Sequence, residues 1–226
     1  MYTHKKNRYS SHNQIADMVQ PGSTVLDVGC GQDILSKNLH QKQCHIVGID
    51  NIDIDESVRL YMQSFIQWDL DKLAPLPIKE KFDFVIVGDV LEHLRFSRER
   101  LNDIRNCMHP ESFLIASTGN IALWVYRLLL LLGRFDYTQR GILDKTHVHL
   151  YTVPNFIRFI ESCDYEIVET RYTPIPFELV MDQQKGGGEL SDAITNLYHV
   201  AVHLWPNLFA YQIIIRARLK DQLQPQ

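Results

Sequence analysis

Only four cysteines occur among 226 residues, Cys30, Cys44, Cys107 and Cys163, and none stands at a metal-ligand or redox spacing from another. That excludes a disulfide framework and a zinc-ribbon pattern, and it leaves reduced thiols expected in the core, with no metal. An excess of positive charge is also missing: 23 lysines and arginines face 27 aspartates and glutamates. A broad phosphate-binding surface, and with it a nucleic-acid partner, is therefore not expected, although His4, Lys5, Lys6 and Arg8 make a short basic start. No apolar run reaches the roughly 18 to 20 residues of a membrane-spanning helix. The longest, Ile121 to Leu132, is broken by Arg127. The opening residues hold no apolar signal region, so the expected location is cytoplasmic. No stretch has the composition of an interdomain linker, and the length suits a single α/β domain over 1–226.

What is present centres on Thr24 to Asp33, Thr-Val-Leu-Asp-Val-Gly-Cys-Gly-Gln-Asp. Val25 to Val28 have the apolar, β-branched content of a buried parallel strand, and Gly29 and Gly31 follow at once. A strand that runs into a glycine turn and then a helix is a ligand-binding corner, because backbone without Cβ atoms can turn sharply beside a ligand. A second apolar run, His45 to Ile49, ends in Asp50, nineteen positions after Gly31. An acid at that spacing on a second strand can accept hydrogen bonds from both hydroxyls of a ribose.

The third glycine of a dinucleotide fingerprint is absent. Its register holds Ile34, preceded by Asp33, an acid that would repel a pyrophosphate. A sulfonium cofactor is positively charged and carries no phosphate, so Asp27, Asp33, Asp50 and Asp89 suit it. The residues thus favour S-adenosylmethionine, with S-adenosylhomocysteine as product.

Taken in order, Ser11 to Gln20 reads as a helix covering one side of the corner, and Gln32 to His40 as the helix after the turn. Ile54 to Met62 is helix-like, and Ser64 to Trp68 is a third strand ending in Asp69. Asp69 can bond the adenine amine with Trp68 on the ring, or the pair can be a solvated acid beside a core tryptophan. Phe82 to Val87 is the strongest strand. It is expected beside the first, across the switch point, so that Asp89 faces the methionine end of the cofactor. Ser97 can cap a helix to Met108, and Phe113 to Ser117 is a fifth strand. Thr152 caps a helix with Pro154 in its first turn, and Tyr165 to Tyr172 is strand six. Ser191 to Trp205 is a helix ended by Pro206, and Ala210 to Leu219 returns as the hairpin partner of strand six. The fold class is a doubly wound, Rossmann-like sheet of seven strands, the last antiparallel. A helical cap is expected from insertions at about 118–151 and 174–209, the second holding a Gly-Gly-Gly tract. The apolar 121–132 run is expected to be covered by protein core, by a second copy in a homodimer, or by peripheral membrane contact.

Val25-Leu26-Asp27-Val28-Gly29-Cys30-Gly31, Gly48-Ile49-Asp50, and Phe82-Asp83-Phe84-Val85 leading to Asp89-Val90-Leu91-Glu92-His93 together resemble the class I S-adenosylmethionine-dependent methyltransferases. The resemblance implies Asp27, Gly29, Cys30, Gly31, Asp50, Asn51, Trp68, Asp69, Asp89 and Val90 as cofactor-binding residues. Asp27 either meets the methionine amine or fixes the glycine turn. Over roughly residues 11 to 218, the strings Gly133-Arg134-Phe135-Asp136-Tyr137, Gly141 to His147 and Phe209-Ala210-Tyr211-Gln212 look like bacterial methyltransferases associated with glycosyltransferases of surface-polysaccharide pathways. That implies a glycan or sugar-linked acceptor. Two positions depart from the pattern: Asp33 replaces a glycine, and Gly119-Asn120 stands where Pro-Asn is common.

Methyl transfer to a hydroxyl needs alignment and a place for the proton. His147, with Asp144 three positions before it to orient its ring, is the first candidate base, and His149 the second. His93 is the third, although it reads first as a helix-start residue that packs against the sheet, and a side-chain base is useful without being always essential. The rival acceptor is a quinone or other small aromatic, suggested by the apolar run. A rival of another class is a non-catalytic S-adenosylmethionine-binding subunit or sensor.

Overall fold

The structure, a computed structural model, describes residues 9–32, 35–176 and 198–220. The basic start, Asp33, Ile34, the Gly-Gly-Gly tract and the first half of the helix expected from Ser191 lie outside the described residues.

Seven strands form one sheet in the order β3-β2-β1-β4-β5-β7-β6. They are β1 (Thr24–Val28), β2 (His45–Asp50), β3 (Ser64–Gln67), β4 (Phe82–Gly88), β5 (Met108–Gly119), β6 (Tyr165–Thr173) and β7 (Gln212–Leu219). Neighbouring pairs are parallel from β3 through β5, and β7 runs antiparallel to both β5 and β6. The expected seven-stranded sheet with a reversed last strand is thus observed, and β4 lies beside β1.

The central strands are apolar on both faces because helices cover both. Val25, Phe84, Ile86, Ile115 and Ile214 pack with Ile15 and Met18 of α1 (Ser11–Met18) and with Leu35 and Leu39 of α2 (Leu35–Gln41). Their alternates Leu26, Val85, Val87, Leu114, Ile213 and Ile215 pack on the other face. There they meet Leu101 and Ile104 of α4 (Ser97–Ile104) and Phe156 and Ile160 of α6 (Val153–Glu161). The period-two alternation within each strand is what divides the core into two layers.

Local chemistry accounts for where the elements begin and end. Thr152 accepts the N–H of Asn155 and Pro154 sits in the first turn of α6, as expected. Thr152→Ala should lower stability by about 1 kcal/mol, seen as an earlier urea midpoint with an unchanged slope.

Ser97 is not the cap of α4. Phe96 holds that position, and the carboxylate of Asp71 takes the N–H groups of Arg95 (2.8 Å) and Phe96 (3.3 Å) instead. The helix gives way at Ile104 to a single 3-10 turn, Arg105–Cys107. The helix-like stretch from Ile54 is only α3 (Glu56–Arg59), none of whose residues is buried, so no packing extends it.

β5 is longer than its apolar run. Phe82 pairs with Met108 and Phe84 with Phe113, so the intervening residues of β5 bulge out, and Pro110 is tolerated there. Ser112 closes the bulge by accepting the His109 N–H at 2.7 Å and donating to the Phe82 carbonyl.

Residues 198–204 are helical, and Pro206 begins a new helix, α7 (Pro206–Phe209), rather than simply ending one. In the 118–151 stretch the apolar run forms α5 (Trp124–Leu131), which has no buried residue; Leu131 is 83% exposed. The expectation that protein core covers this helix is therefore corrected for the described residues.

Candidate functional site

The parallel strands place their carboxyl ends together, and the site is built there. Beyond β1 the chain turns at Gly29 (φ +75°) and Gly31 (φ +48°). The Gly29 N–H donates to the Ile49 carbonyl (2.7 Å), and the Gly31 N–H donates to Oδ2 of Asp50 (2.8 Å). Oδ1 of Asp50 accepts the Ile52 N–H at 3.1 Å. Asp50, 8% exposed, thus ties the glycine turn to the end of β2, and each carboxylate oxygen keeps a second acceptor site.

From β4 the chain enters Asp89, which holds φ +54°, a conformation uncommon for residues other than glycine. The surroundings fix it there. Its N–H donates to the Ser117 carbonyl, Oδ1 accepts the Ser117 hydroxyl (2.8 Å) and Oδ2 accepts Nε2 of Gln212 (2.6 Å).

Between the two turns lies an open cavity of about 200 Å³, bordered by Ser11, His12 and Ile15 of α1, by Asp27, Gly29, Cys30 and Gly31, and by Asp89 and Ser117. Its lining holds two carboxylates and neither lysine nor arginine. A cationic ligand is favoured there and a pyrophosphate is not. Where a side chain at Gly31 would begin, nothing stands within 4 Å, so a ligand can lie against that backbone.

The remaining cofactor candidates sit away from the cavity. Val90 is buried against Gly29. Asn51 is exposed, and its carbonyl accepts Nε2 of Gln67. Asp69 is exposed and accepts the Asp71 N–H at 3.0 Å. Trp68 packs against the core with Lys72 Nζ 5.0 Å from its ring centre, and its buried indole N–H has no partner among the described residues.

The base candidates form a second group. The carboxylate of Asp144 accepts the N–H and the hydroxyl of Thr146, both at 2.8 Å, and does not orient His147. Although burial works to raise it, the Asp144 carboxyl is held below its ordinary value by those two Thr146 donors. The ring of His147 is fixed instead by the Ile142 carbonyl, 3.0 Å from Nδ1. It makes an edge-to-face pair with His93, the ring centres 4.5 Å apart. His149 has a buried Nε2 with no partner among the described residues. None of His147, His149, Asp144 and His93 lines the cavity.

Glu92 is the residue that motif reading passed over. It is 2% exposed, and burial, reinforced by the charge of Asp89, pushes its carboxyl up to about 8. Its backbone carbonyl accepts the N–H groups of Val148 (2.8 Å) and His149 (3.0 Å), which fastens the 144–149 segment to the turn after β4. Ser11, His12, Ser117 and Gln212 were also missed. The signal available for Gln212 was topological: a reversed strand starts where its parallel neighbours end.

The profile of the methyltransferase-domain family matches residues 4–170. Two ubiquinone biosynthesis O-methyltransferases are similar in sequence. That of Haemophilus ducreyi is 29% identical over 136 residues, 56% of this chain and 57% of the relative. That of Hahella chejuensis is 40% identical over 81 residues, 33% of this chain and 34% of the relative. The chain thus aligns to between about a third and three-fifths of the length of these curated relatives. In fold, it resembles 1,6-didemethyltoxoflavin-N1-methyltransferase of Burkholderia thailandensis, solved with 1,6-didemethyltoxoflavin and S-adenosylhomocysteine. There the TM-score is 0.62 at 13% identity, over 94% of this chain and 80% of that one. A SAM-dependent methyltransferase of Archaeoglobus fulgidus gives a TM-score of 0.56 at 18% identity, over 92% and 95%.

Proposed function

The chain belongs to the methyltransferase-domain family, and from that premise we propose that it moves a methyl group from S-adenosylmethionine to a hydroxyl oxygen of a small acceptor. The observation that carries the reading is the acid-lined cavity at the Gly29–Gly31 turn, open to a ligand and holding neither lysine nor arginine. Its chemistry fits a donor that is a cation at both sulfur and amine. Asp27 and Asp89 would face the methionine end, and the remaining acceptor sites of Asp50 would take the ribose hydroxyls. Trp68 and Asp69 lie at the end of β3, on the side of β2 where the adenine would extend. When bound, the cofactor supplies an already activated methyl group; the protein's part is alignment and proton removal.

For the acceptor we favour a phenolic hydroxyl of a quinone-type small molecule. The relatives in ubiquinone biosynthesis support this, as does the exposed apolar helix α5, which suits a lipophilic partner or membrane surface. The second reading is a sugar hydroxyl, supported by the Gly133–Tyr137 and Gly141–His147 strings. We read residues 1–226 as one methyltransferase domain working in the cytoplasm, with α5 able to serve peripheral membrane contact or a homodimer.

Calorimetric titration with S-adenosylmethionine and S-adenosylhomocysteine tests the cofactor. Saturation at about a hundred times the dissociation constant should stabilise the fold by roughly 2.7 kcal/mol. Asp50→Asn places an amide N–H₂ against one of two backbone donors and should weaken binding by about 2 to 4 kcal/mol. No binding of either compound at millimolar concentration would overturn the reading. A panel of phenols, with and without prenyl tails, and of sugar nucleotides then separates the acceptors. Binding without turnover of any of them would favour a non-catalytic sensor.

A further inference from the structure

We propose that His93, rather than His147, is the general base, and that Thr146 and Asp144 are positioning residues that set its tautomer. The inference rests on the methyl-transfer reading. Oγ1 of Thr146 lies 2.8 Å from Oδ1 of Asp144 and 3.0 Å from Nδ1 of His93. A hydroxyl has one proton, and an ionised carboxylate can only accept, so the Thr146 proton goes to Asp144. A lone pair of Oγ1 is then left facing the ring, and Nδ1 of His93 must be the protonated nitrogen. Nε2 is bare and able to accept a proton.

His147 lacks this arrangement. Its Nδ1 meets the neutral Ile142 carbonyl, whereas His93 is linked through one hydroxyl to a full negative charge that stabilises its imidazolium. The site also puts His93 on the turn that carries Asp89 and Val90, where its N–H donates to the Val90 carbonyl (2.9 Å). His93 remains solvent-accessible, so a captured proton can leave. The groups that bear on its titration are His147, the Thr146 backbone, Asp144 and Asp89; partial burial, and then the neighbouring His147, hold it below its ordinary value against the other three.

In the step, Nε2 of His93 takes the proton of the acceptor hydroxyl while the oxygen lone pair forms the C–O bond. The C–S bond breaks with its electron pair passing to sulfur, which becomes a neutral thioether. The imidazolium then returns its proton to solvent.

Nitrogen-15 shifts of labelled histidines should show His93 as the Nδ1–H tautomer, with no acceptor present. Thr146→Val should move it towards Nε2–H, and Thr146→Ser should restore it. In the pH dependence of kcat/KM, His93→Ala should remove the limb for the base and lower the rate by roughly 10²-fold to 10⁴-fold, with the cofactor dissociation constant preserved. His147→Ala should keep that limb and move it to higher pH, because a repelling neighbour is gone. An Nε2–H tautomer in the wild type, a tautomer indifferent to Thr146→Val, or a limb lost in His147→Ala and kept in His93→Ala would each overturn the assignment. Failure of the methyl-transfer reading shows separately, as absence of cofactor binding in a protein whose His93 tautomer is as described.

Discussion

Gly29→Ala is expected to abolish cofactor binding and to destabilise the protein by about 2 to 5 kcal/mol. Two costs combine at this one position. The backbone sits at φ +75°, where a Cβ costs about 1 to 2 kcal/mol. The new methyl would also stand 2.3 Å from Cγ2 of Val90, in a packed interior where overfilling costs about 1 to 3 kcal/mol. Val90 is β-branched, buried and fixed beside Asp89, so it has little freedom to withdraw.

Gly31→Ala isolates the other half of the argument. Nothing within 4 Å meets its Cβ, so the fold should lose only about 1 to 2 kcal/mol for φ +48°. Binding should still fail, because the methyl projects where the ligand is expected. The double variant Gly29→Ala/Val90→Ala should recover part of the steric loss and none of the backbone loss. Urea unfolding of the wild type, Gly29→Ala, Val90→Ala and the double variant, read as a double-mutant cycle, checks this, with Gly31→Ala measured alongside. Equal destabilisation by Gly29→Ala and Gly31→Ala would show that the contact with Val90 is not the dominant cost.

These two glycines were legible in the sequence, and it is instructive which neighbours were not. Gly29, Gly31 and Asp50 follow from chain-local logic: a strand, a turn and an acid at the end of the next strand. β7 was legible as the partner of β6, because an apolar run after a helix has few places to go. The locks on Asp89 were hidden. Ser117 and Gln212 reach it only because β5 and the reversed β7 bring 28 and 123 positions of separation to hydrogen-bond distance. His12 was hidden for the same reason, since the register of α1 on the sheet decides which of its residues face the cavity.

The Asp144–His147 spacing suggested a pair that the backbone then denied. Thr146 lies between them and takes the carboxylate for itself, an Asx-type turn bond that competes with any longer reach. The apolar run misled in another way: helical spacing of leucines states that a face wants covering, and says nothing about whether this chain covers it.

Glu92→Gln should remove a pH dependence of stability that the wild type carries between about pH 4.5 and 8. The Glu92 carboxyl titrates near 8 in the fold, against 4.5 as its ordinary value, because burial and the adjacent Asp89 charge oppose its ionisation. Within that window the folded state holds a proton that the unfolded state has released. Wild-type stability is therefore full below the unfolded value and falls as pH rises, by up to about 1.4 kcal/mol per pH unit, until the folded group itself ionises. Glutamine keeps the shape and never ionises, so the variant should be flat on this account and should overtake the wild type at alkaline pH. At pH 5 it should be equal or slightly weaker, since its extra amide proton enters a place where Oε2 has no partner among the described residues. Melting temperatures from pH 5 to 9 decide the matter, and parallel curves for the two proteins would contradict it. The same proton connects Glu92 to the cavity through Asp89, which borders it. A cation bound beside Asp89 offsets the charge that keeps Glu92 protonated, so cofactor binding near pH 8 should release a fraction of a proton in the wild type and less in Glu92→Gln. Calorimetry in buffers of different ionisation enthalpy measures that fraction directly.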